Sequence, residues 1–417
     1  MDGTPDSSAP VPDLAVRHGQ ALTDRELPRI SIVVLSLDGK HLLEGFLESI
    51  RAQDYPADHV EVILIDNGSR DGTAALAESR WPWVKLIVNA ENRGFSAGCN
   101  QGARVADRPG VLVFLNNDMR LDARFLRELV GPIVRGECQA ATGKMLSWDG
   151  KLLNSAGGGM NLHGIGFQRG YMRQPHPRYD VPRKTLFACG GAMAIAAAVF
   201  HESGGFDEEF FAYYEDVDLG WRLWVLGHEV HYVPSAVCYH HHSSTSRRLP
   251  YETVRLLQTR NPLLACVKNY ERHNFERVLP VALGVFLRRM HLTAGDLDDR
   301  PFRIEHARIA DTGLATRVWR RLVGVRERGC ELPRLVVADL LAANDLLGAW
   351  PHWMERRECV QSRRKRPDAH IVDLFLKPHW KVAGDPTYVN LHEGLTELFA
   401  LDQLFAGRTD GEPPPEG

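Results

Sequence analysis

The chain has 417 residues, 44% of them hydrophobic and 25% charged, with a formal net charge of −3. These are values of a globular protein long enough for two or three domains, and a charge so close to zero gives no general attraction to nucleic acid. The seven cysteines are scattered, odd in number and never spaced CxxC, which fits free thiols in a reducing compartment such as the cytoplasm.

Residues 1–28 lack the basic and apolar stretches of a signal peptide and read as a flexible leader. "ISIVVLSL" (30–37) is a predicted strand and "LLEGFLESIRAQ" (42–53) a predicted helix. "VEVILIDNGS" (60–69) is a second strand, "GTAALAESRW" (72–81) a helix and "VKLIVNA" (84–90) a short strand. "GFSAGCNQGARVA" (94–106) is a helix of small residues, and "GVLVFLNND" (110–118) is a fourth strand. Strands that alternate with short helices predict an α/β fold with a doubly wound, mostly parallel sheet. Their unbroken apolar runs fit a sheet covered on both faces. No apolar run reaches the length of a membrane span; the longest stretch, 278–287, contains a proline.

Ligands of such sheets bind beyond the carboxyl ends of the strands. Polar residues fall at those ends here: Asp66 after the second strand, Asn92 and Arg93 after the third, and Asn116, Asn117 and Asp118 after the fourth. Asp118 alone reads equally well as a helix cap, but three polar strand ends in register favour a site. Neither GxGxxG after the first strand nor GxxxxGK[ST] is present, which argues against a dinucleotide enzyme and a P-loop NTPase. The Gly-rich loops "DNGSRDGT" and "ENRGFSAGCNQG" nevertheless lead into helices whose first N–H groups suit an anionic or nucleotide ligand.

In the second half, "GGFDEEFFAYYEDVDLGWRLWVLGHEV" (204–230) sets Glu215, Asp216 and Asp218 at a helix start beside Phe210, Phe211, Tyr213 and Tyr214. The helix dipole favours acids in a first turn, which accounts for one or two of them. A carboxylate against an apolar wall has a raised pKa and can act as a general base. A further strand ends in His240, His241 and His242, where alternation turns His240 and His242 to one side, and a histidine with a carboxylate can hold a divalent cation.

In this order the motifs resemble the family 2 inverting glycosyltransferases of GT-A fold, and among them the rhamnosyltransferase-like branch that builds bacterial surface glycans. The resemblance spans residues 29–270. It implies a nucleotide-diphosphate sugar donor, UDP- or dTDP-linked first, and a glycan, lipid-linked or small-molecule acceptor. Asp66 and Asn67 then contact the nucleotide, with Arg93 and Gly94 on the loop that closes over it. Asn116, Asn117 and Asp118 occupy the DxD position. Asp118 and His240, or His242 as second choice, hold Mn²⁺ or Mg²⁺. Gly190, Gly191 and Trp221 lie along the donor sugar and acceptor, and Asp216 is the base with Glu215 beside it. Asn116 replaces the first DxD acid, so the metal site carries less charge, and "SLDG" stands where the branch usually has a Tyr-Asn pair. A non-catalytic sugar-nucleotide-binding subunit and a sugar nucleotidyltransferase are the competing readings.

Past 270 the resemblance fades into a helical extension (271–405) and a disordered tail (406–417). Helices are predicted at 276–290, 313–328 and 333–350. The basic run "ERRECVQSRRKRP" (355–367) reads either as a solvated helix face or as a patch for peripheral contact with the inner face of the plasma membrane. A homo-oligomer built on this extension is equally compatible with the pattern.

Overall fold

The computed structural model describes residues 14–20, 22–241, 249–295, 302–303, 331–332, 334–376 and 386–404. Strand β1 (Ile30–Ser36) leads through α1 (Lys40–Arg51) to β2 (Val60–Asp66), and α2 (Thr73–Arg80) leads to β3 (Lys85–Val88). After α3 (Gly94–Val105) come β4 (Val111–Asn116), the short β5 (Met119–Leu121), α4 (Phe125–Val134) and β6 (Ala140–Ser147). Three short strands, β7 (Leu153–Ser155), β8 (Gly158–Met160) and β9 (Gly166–Gln168), precede β10 (Arg183–Lys184), β11 (Ala192–Ala196) and α5 (Ala197–Ser203). The helix α6 (Glu215–Val225) and the long β12 (Val230–His240) complete the sheet region.

The main sheet runs β10-β12-β6-β11-β4-β1-β2-β3. Its pairs β1–β2, β1–β4, β2–β3 and β6–β12 are parallel, and β11 runs antiparallel between β4 and β6. This is the doubly wound, mostly parallel sheet that the alternating pattern predicts. Along β1, Ile32 and Val34 enter the core beneath α1 and α4, while Val33 enters the opposite core beneath α3, α5 and α6. That alternation, with both faces apolar, is why the strands read as continuous hydrophobic runs.

The small residues of α3 let it lie close on the sheet. A Cβ on Gly98 would sit 2.3 Å from Leu35 Cδ1, and one on Gly102 would sit 2.4 Å from Val33 Cγ1. Register aligns Ser36 with Asp66 and Leu35 with Asn116. The polar strand ends therefore emerge side by side.

Two expectations about organisation differ from what the structure shows. The leader is docked from Leu14 onward: Lys184 N–H donates to Leu14 O, Val16 N–H donates to Pro182 O, and Arg127 Nη1 donates to Leu22 O. The boundary at 270 does not separate two cores either. Helices α7 (Tyr251–Asn269), α8 (Arg272–Gly295), α9 (Arg334–Gly348) and α10 (Trp350–Gln361) contribute Leu264, Val278, Leu346 and Trp353 to the cluster that holds Leu112 and Phe114 of β4. A last long helix, α11 (Pro386–Leu398), packs on α8. The predicted helix at 313–328 and the tail lie outside the described residues.

Part of the basic run is tied to the fold, while Arg363 and Lys365 remain exposed. Arg363 Nη2 donates to Glu202 O, Lys365 N–H to Val225 O, and Arg366 Nη1 to His228 O. Arg364 pairs with Asp368 and donates to Asn269 O, and Arg366 lies over the Trp224 ring. Among the described residues no helix is long and apolar enough to cross a membrane.

Candidate active site

At the carboxyl ends of β1, β2 and β4 opens a cleft of about 400 Å³, lined on one side by Asn67, Asn92, Asn116 and Asn117 and closed on the other by the α6 start. Asn67 organises the donor-side loop. Its Nδ2 donates to Asn92 Oδ1 (2.8 Å) and Gly94 O, and its Oδ1 accepts from Arg93 N–H and Asn89 Nδ2. Asn117 Nδ2 donates to Ser36 Oγ, tying β4 to β1.

Asp66 is buried and accepts from Ser69 N–H, so it shapes the turn after β2. The Arg93 side chain is exposed, within electrostatic reach of Glu208. Gly94, at φ +83°, backs onto Phe211, where a Cβ would come within 2.6 Å of the Phe211 carbonyl oxygen.

The expectation of an anion at the start of α3 is not met. Phe95 and Ser96 N–H both donate to Phe211 O, and Gly94 N–H donates to Asn92 Oδ1. At α2, Asp71 Oδ1 already accepts from Thr73 N–H and Thr73 Oγ1.

The loop before α6 is strained. Phe211, Tyr213 and Tyr214 all have positive φ, at 61°, 66° and 67°. Residues other than glycine pay roughly 1–3 kcal/mol each in such conformations. The turn delivers Asp216 to the Gly-Gly segment: its Oδ2 accepts from Gly190 N–H (3.1 Å) and its Oδ1 from Val217 N–H (2.9 Å). Gly191 O in turn accepts from Asn116 N–H, which binds that segment to the end of β4. Burial raises the Asp216 carboxyl above its ordinary range, although the two backbone N–H bonds favour its charge.

Glu215 is buried among the cleft residues, and its Oε2 has no hydrogen-bond partner among the described residues. Burial, then the charge of Asp216, pushes its carboxyl up to about 8. The two carboxyls titrate as a pair: one proton leaves readily and the second is retained near neutral pH.

A stability prediction follows from Glu215. The folded state holds its proton more tightly than the unfolded chain, so its contribution is complete below the ordinary glutamate range and is lost as pH rises through about 8. Glu215→Gln, which mimics the protonated form, is expected to melt higher than wild type at pH 9 and much like it at pH 5. Parallel melting curves across that range would show that Glu215 is ionised when folded.

Asp218, the third acid, turns away into the core. Arg222 Nη2 (3.0 Å) and Lys268 Nζ (2.8 Å) pair with it, and Asn269 Nδ2 donates to it. Lys268 also pairs with Asp207, which Arg356 of α10 reaches as well. Removing one partner from a buried ion pair costs about 3–5 kcal/mol. Lys268→Met should therefore lower unfolding stability by that amount. Arg104→Met, at an exposed pair with Glu208, should cost under about 1 kcal/mol. Equal shifts in urea midpoint for the two variants would contradict this.

Near the cleft, Asp118 Oδ1 lies 3.2 Å from His240 Nε2, and His240 Nδ1 lies 3.4 Å from Asn154 Nδ2. Asp118 is buried, and its charge, after burial and the charges of Asp216 and Glu215, helps push the thiol of the cleft residue Cys189 up to about 12. Two protein ligands about 2.1 Å from an octahedral ion stand about 3 Å apart when adjacent. The Asp118–His240 spacing is one at which the two side chains would hold a divalent cation such as Mn²⁺ or Mg²⁺. Among the described residues no group of three or more His, Cys, Asp or Glu side chains forms a closed metal site. His242 lies outside the described residues.

Trp221 is corrected outright. It is fully buried, with its ring edge-on to Tyr270 and Phe375, and belongs to the core rather than the cleft. Sequence reasoning also missed residues that line the cleft: Phe95 and Phe187, and Phe167 and Gln168 of the β8–β9 hairpin. The hairpin meets the α6 start at Gly166, where a Cβ would sit 2.7 Å from Val217. Its glycines were the available signal, since they mark backbone held against a neighbour.

Residues 31–203 match the family described as Glycosyl transferase family 2. The chain is 31% identical over 242 residues to the N-acetylglucosaminyl-diphospho-decaprenol L-rhamnosyltransferase of Mycobacterium tuberculosis, covering 52% of this chain and 78% of that protein. The chain belongs to glycosyl transferase family 2. This family 2 chain is also 32% identical over 232 residues to the O-antigen biosynthesis protein RfbC of Myxococcus xanthus, which covers 54% of this chain but spans only 18% of RfbC. Among solved structures it aligns with GalNAc-T7 with UDP, GalNAc and Mn²⁺ at a TM-score of 0.48 and 19% identity, over 65% of this chain and 52% of that one.

Proposed function

We propose that this family 2 glycosyltransferase moves a sugar from a nucleotide-diphosphate donor to an acceptor hydroxyl in one step, with inversion at the anomeric carbon. The observation that carries the reading is Asp216, a carboxylate fixed by Gly190 and Val217 N–H at the wall of the cleft. The acceptor hydroxyl gives its proton to Asp216 as its oxygen attacks the anomeric carbon, and the nucleoside diphosphate leaves from the opposite face. Glu215, protonated at neutral pH, leaves the negative charge of the pair to Asp216. Asp218 is committed to Lys268 and Arg222, so it is not available as the second carboxylate that a double displacement uses.

Asn92, Asn116 and Asn117 hold the nucleotide and diphosphate at the strand ends, on a frame that Asn67 orders, and Asp118 with His240 would hold a divalent cation. When bound, that cation supplies Lewis-acid neutralisation of the diphosphate leaving group. The names of the mycobacterial and myxobacterial relatives support a rhamnosyl or related donor, a lipid-linked or glycan acceptor, and a place in bacterial surface-glycan assembly.

The test is incubation with UDP-, dTDP- and GDP-sugars in Mn²⁺ or Mg²⁺ together with a lipid-linked or glycan acceptor that offers free hydroxyls. Release of nucleoside diphosphate supports the transferase. Release of pyrophosphate identifies a nucleotidyltransferase, and binding without release from any donor identifies a non-catalytic sugar-nucleotide subunit.

A further inference from the structure

We infer that Asn261 of α7 is the positioning residue of the catalytic turn, holding the strained backbone of residues 210–213 so that Asp216 arrives at its place on the cleft wall. The inference rests on Asp216 as the base. The Asn261 side chain is fully buried. Its Nδ2 donates to three carbonyls of the turn: Phe210 O (2.9 Å), Ala212 O (3.0 Å) and Tyr213 O (2.7 Å). An amide has two N–H groups, so one of them is shared between two carbonyls. Its Oδ1 accepts from Arg260 Nε (3.1 Å), and Arg260 Nη2 donates to Glu209 O (2.7 Å). The amide is therefore oriented by one partner and spent entirely on the turn.

The carbonyl that Asn261 does not take, Phe211 O, closes the start of α3 through Phe95 and Ser96 N–H. The carbonyls of residues 210, 212 and 213 go to α7, and that of 211 goes to the donor-side loop. This division explains how aromatic residues are kept at positive φ at 211, 213 and 214. Those conformations persist only where the surroundings over-determine them. Tyr214 is the residue from which α6 begins, and Asp216 lies in its first turn. A turn released by Asn261 therefore moves the base before Asn67, Asn116 and Asn117, which sit at the ends of β2 and β4. The helical region beyond the sheet thus acts on the chemistry through α7.

The experiment uses the full chain with Asn261→Asp, which keeps the shape of the side chain but replaces the donor with a carboxylate facing three carbonyls. Asp216→Asn is carried in parallel. Nucleotide affinity is read with UDP and dTDP by calorimetry. Turnover is read as nucleoside diphosphate released from UDP-glucose, UDP-N-acetylglucosamine, dTDP-rhamnose and GDP-mannose. In Asn261→Asp, kcat per folded molecule should fall about 10²-fold, as for a misplaced catalytic group. UDP or dTDP affinity should stay within threefold. The acid limb of the kcat profile should move toward the ordinary aspartate range as water reaches the released base.

A folded Asn261→Asp with kcat within threefold of wild type overturns the inference. So does a loss of kcat and nucleotide affinity in equal proportion, or an acid limb that does not move. If Asn261→Asp does not fold, Arg260→Met, which frees the amide to rotate, should show the same split at about tenfold; an unchanged kcat there overturns the inference. An Asp216→Asn variant that still turns over defeats the underlying reading instead, whatever Asn261 does.

Discussion

Asp216→Asn is expected to lower kcat by about two to four orders of magnitude, the usual contribution of a general base, with nucleotide affinity unchanged. The carboxamide keeps the shape of the carboxylate, and its oxygen can keep one of the two backbone hydrogen bonds from Gly190 and Val217. The fold and the Asn67 network are therefore preserved. What is lost is the ability to take a proton at that place: burial, the larger cause of the raised Glu215 pKa, persists in the variant, and Asp218 is buried against Lys268. Turnover within threefold of wild type would remove Asp216 from the chemistry.

Asp118→Ala is expected to weaken donor binding by about 10- to 100-fold, the range seen when a metal site loses an essential partner. EDTA should do the same to wild type, and excess Mn²⁺ should restore wild type but not the variant. With Asn116 in place of a second acid, Asp118 is the carboxylate that faces His240, so the cation depends on it more than in a two-acid site. His240→Ala should share the phenotype. If full activity survives in EDTA, Asp118 serves the fold or the ribose rather than a cation.

The chemistry was more legible in the sequence than its support. Asp66, Asn116 and Asp118 can be read as neighbours because a parallel sheet brings its strand ends together, and the register of β1 with β2 and β4 does so. Asp216 was found because acids beside aromatics at a helix start are unusual. Trp221 is the residue that the resemblance places wrongly. Five residues on a helix turn it about 140° from Asp216, which faces it into the core.

The positive φ values at Phe211, Tyr213 and Tyr214 could not be read, because aromatic residues give no sign of a left-handed turn. Asn261 was invisible for a related reason: its three partners are backbone carbonyls, which carry no sequence identity. The basic run at 363–366 was read as surface because charge pattern does not reveal partners. Three partners of its arginine side chains are the carbonyls of Glu202, His228 and Asn269.

The central claim is a single displacement with Asp216 as base, and the anomeric configuration of the product tests it most directly. With an active donor from the nucleotide-sugar panel, proton NMR during the first minutes of turnover, before mutarotation or hydrolysis, reports that configuration. The account predicts a product anomer opposite to the donor, formed at a rate that Asp216→Asn abolishes. A product with the donor's own configuration would mean a double displacement or front-face route and would contradict the role assigned to Asp216.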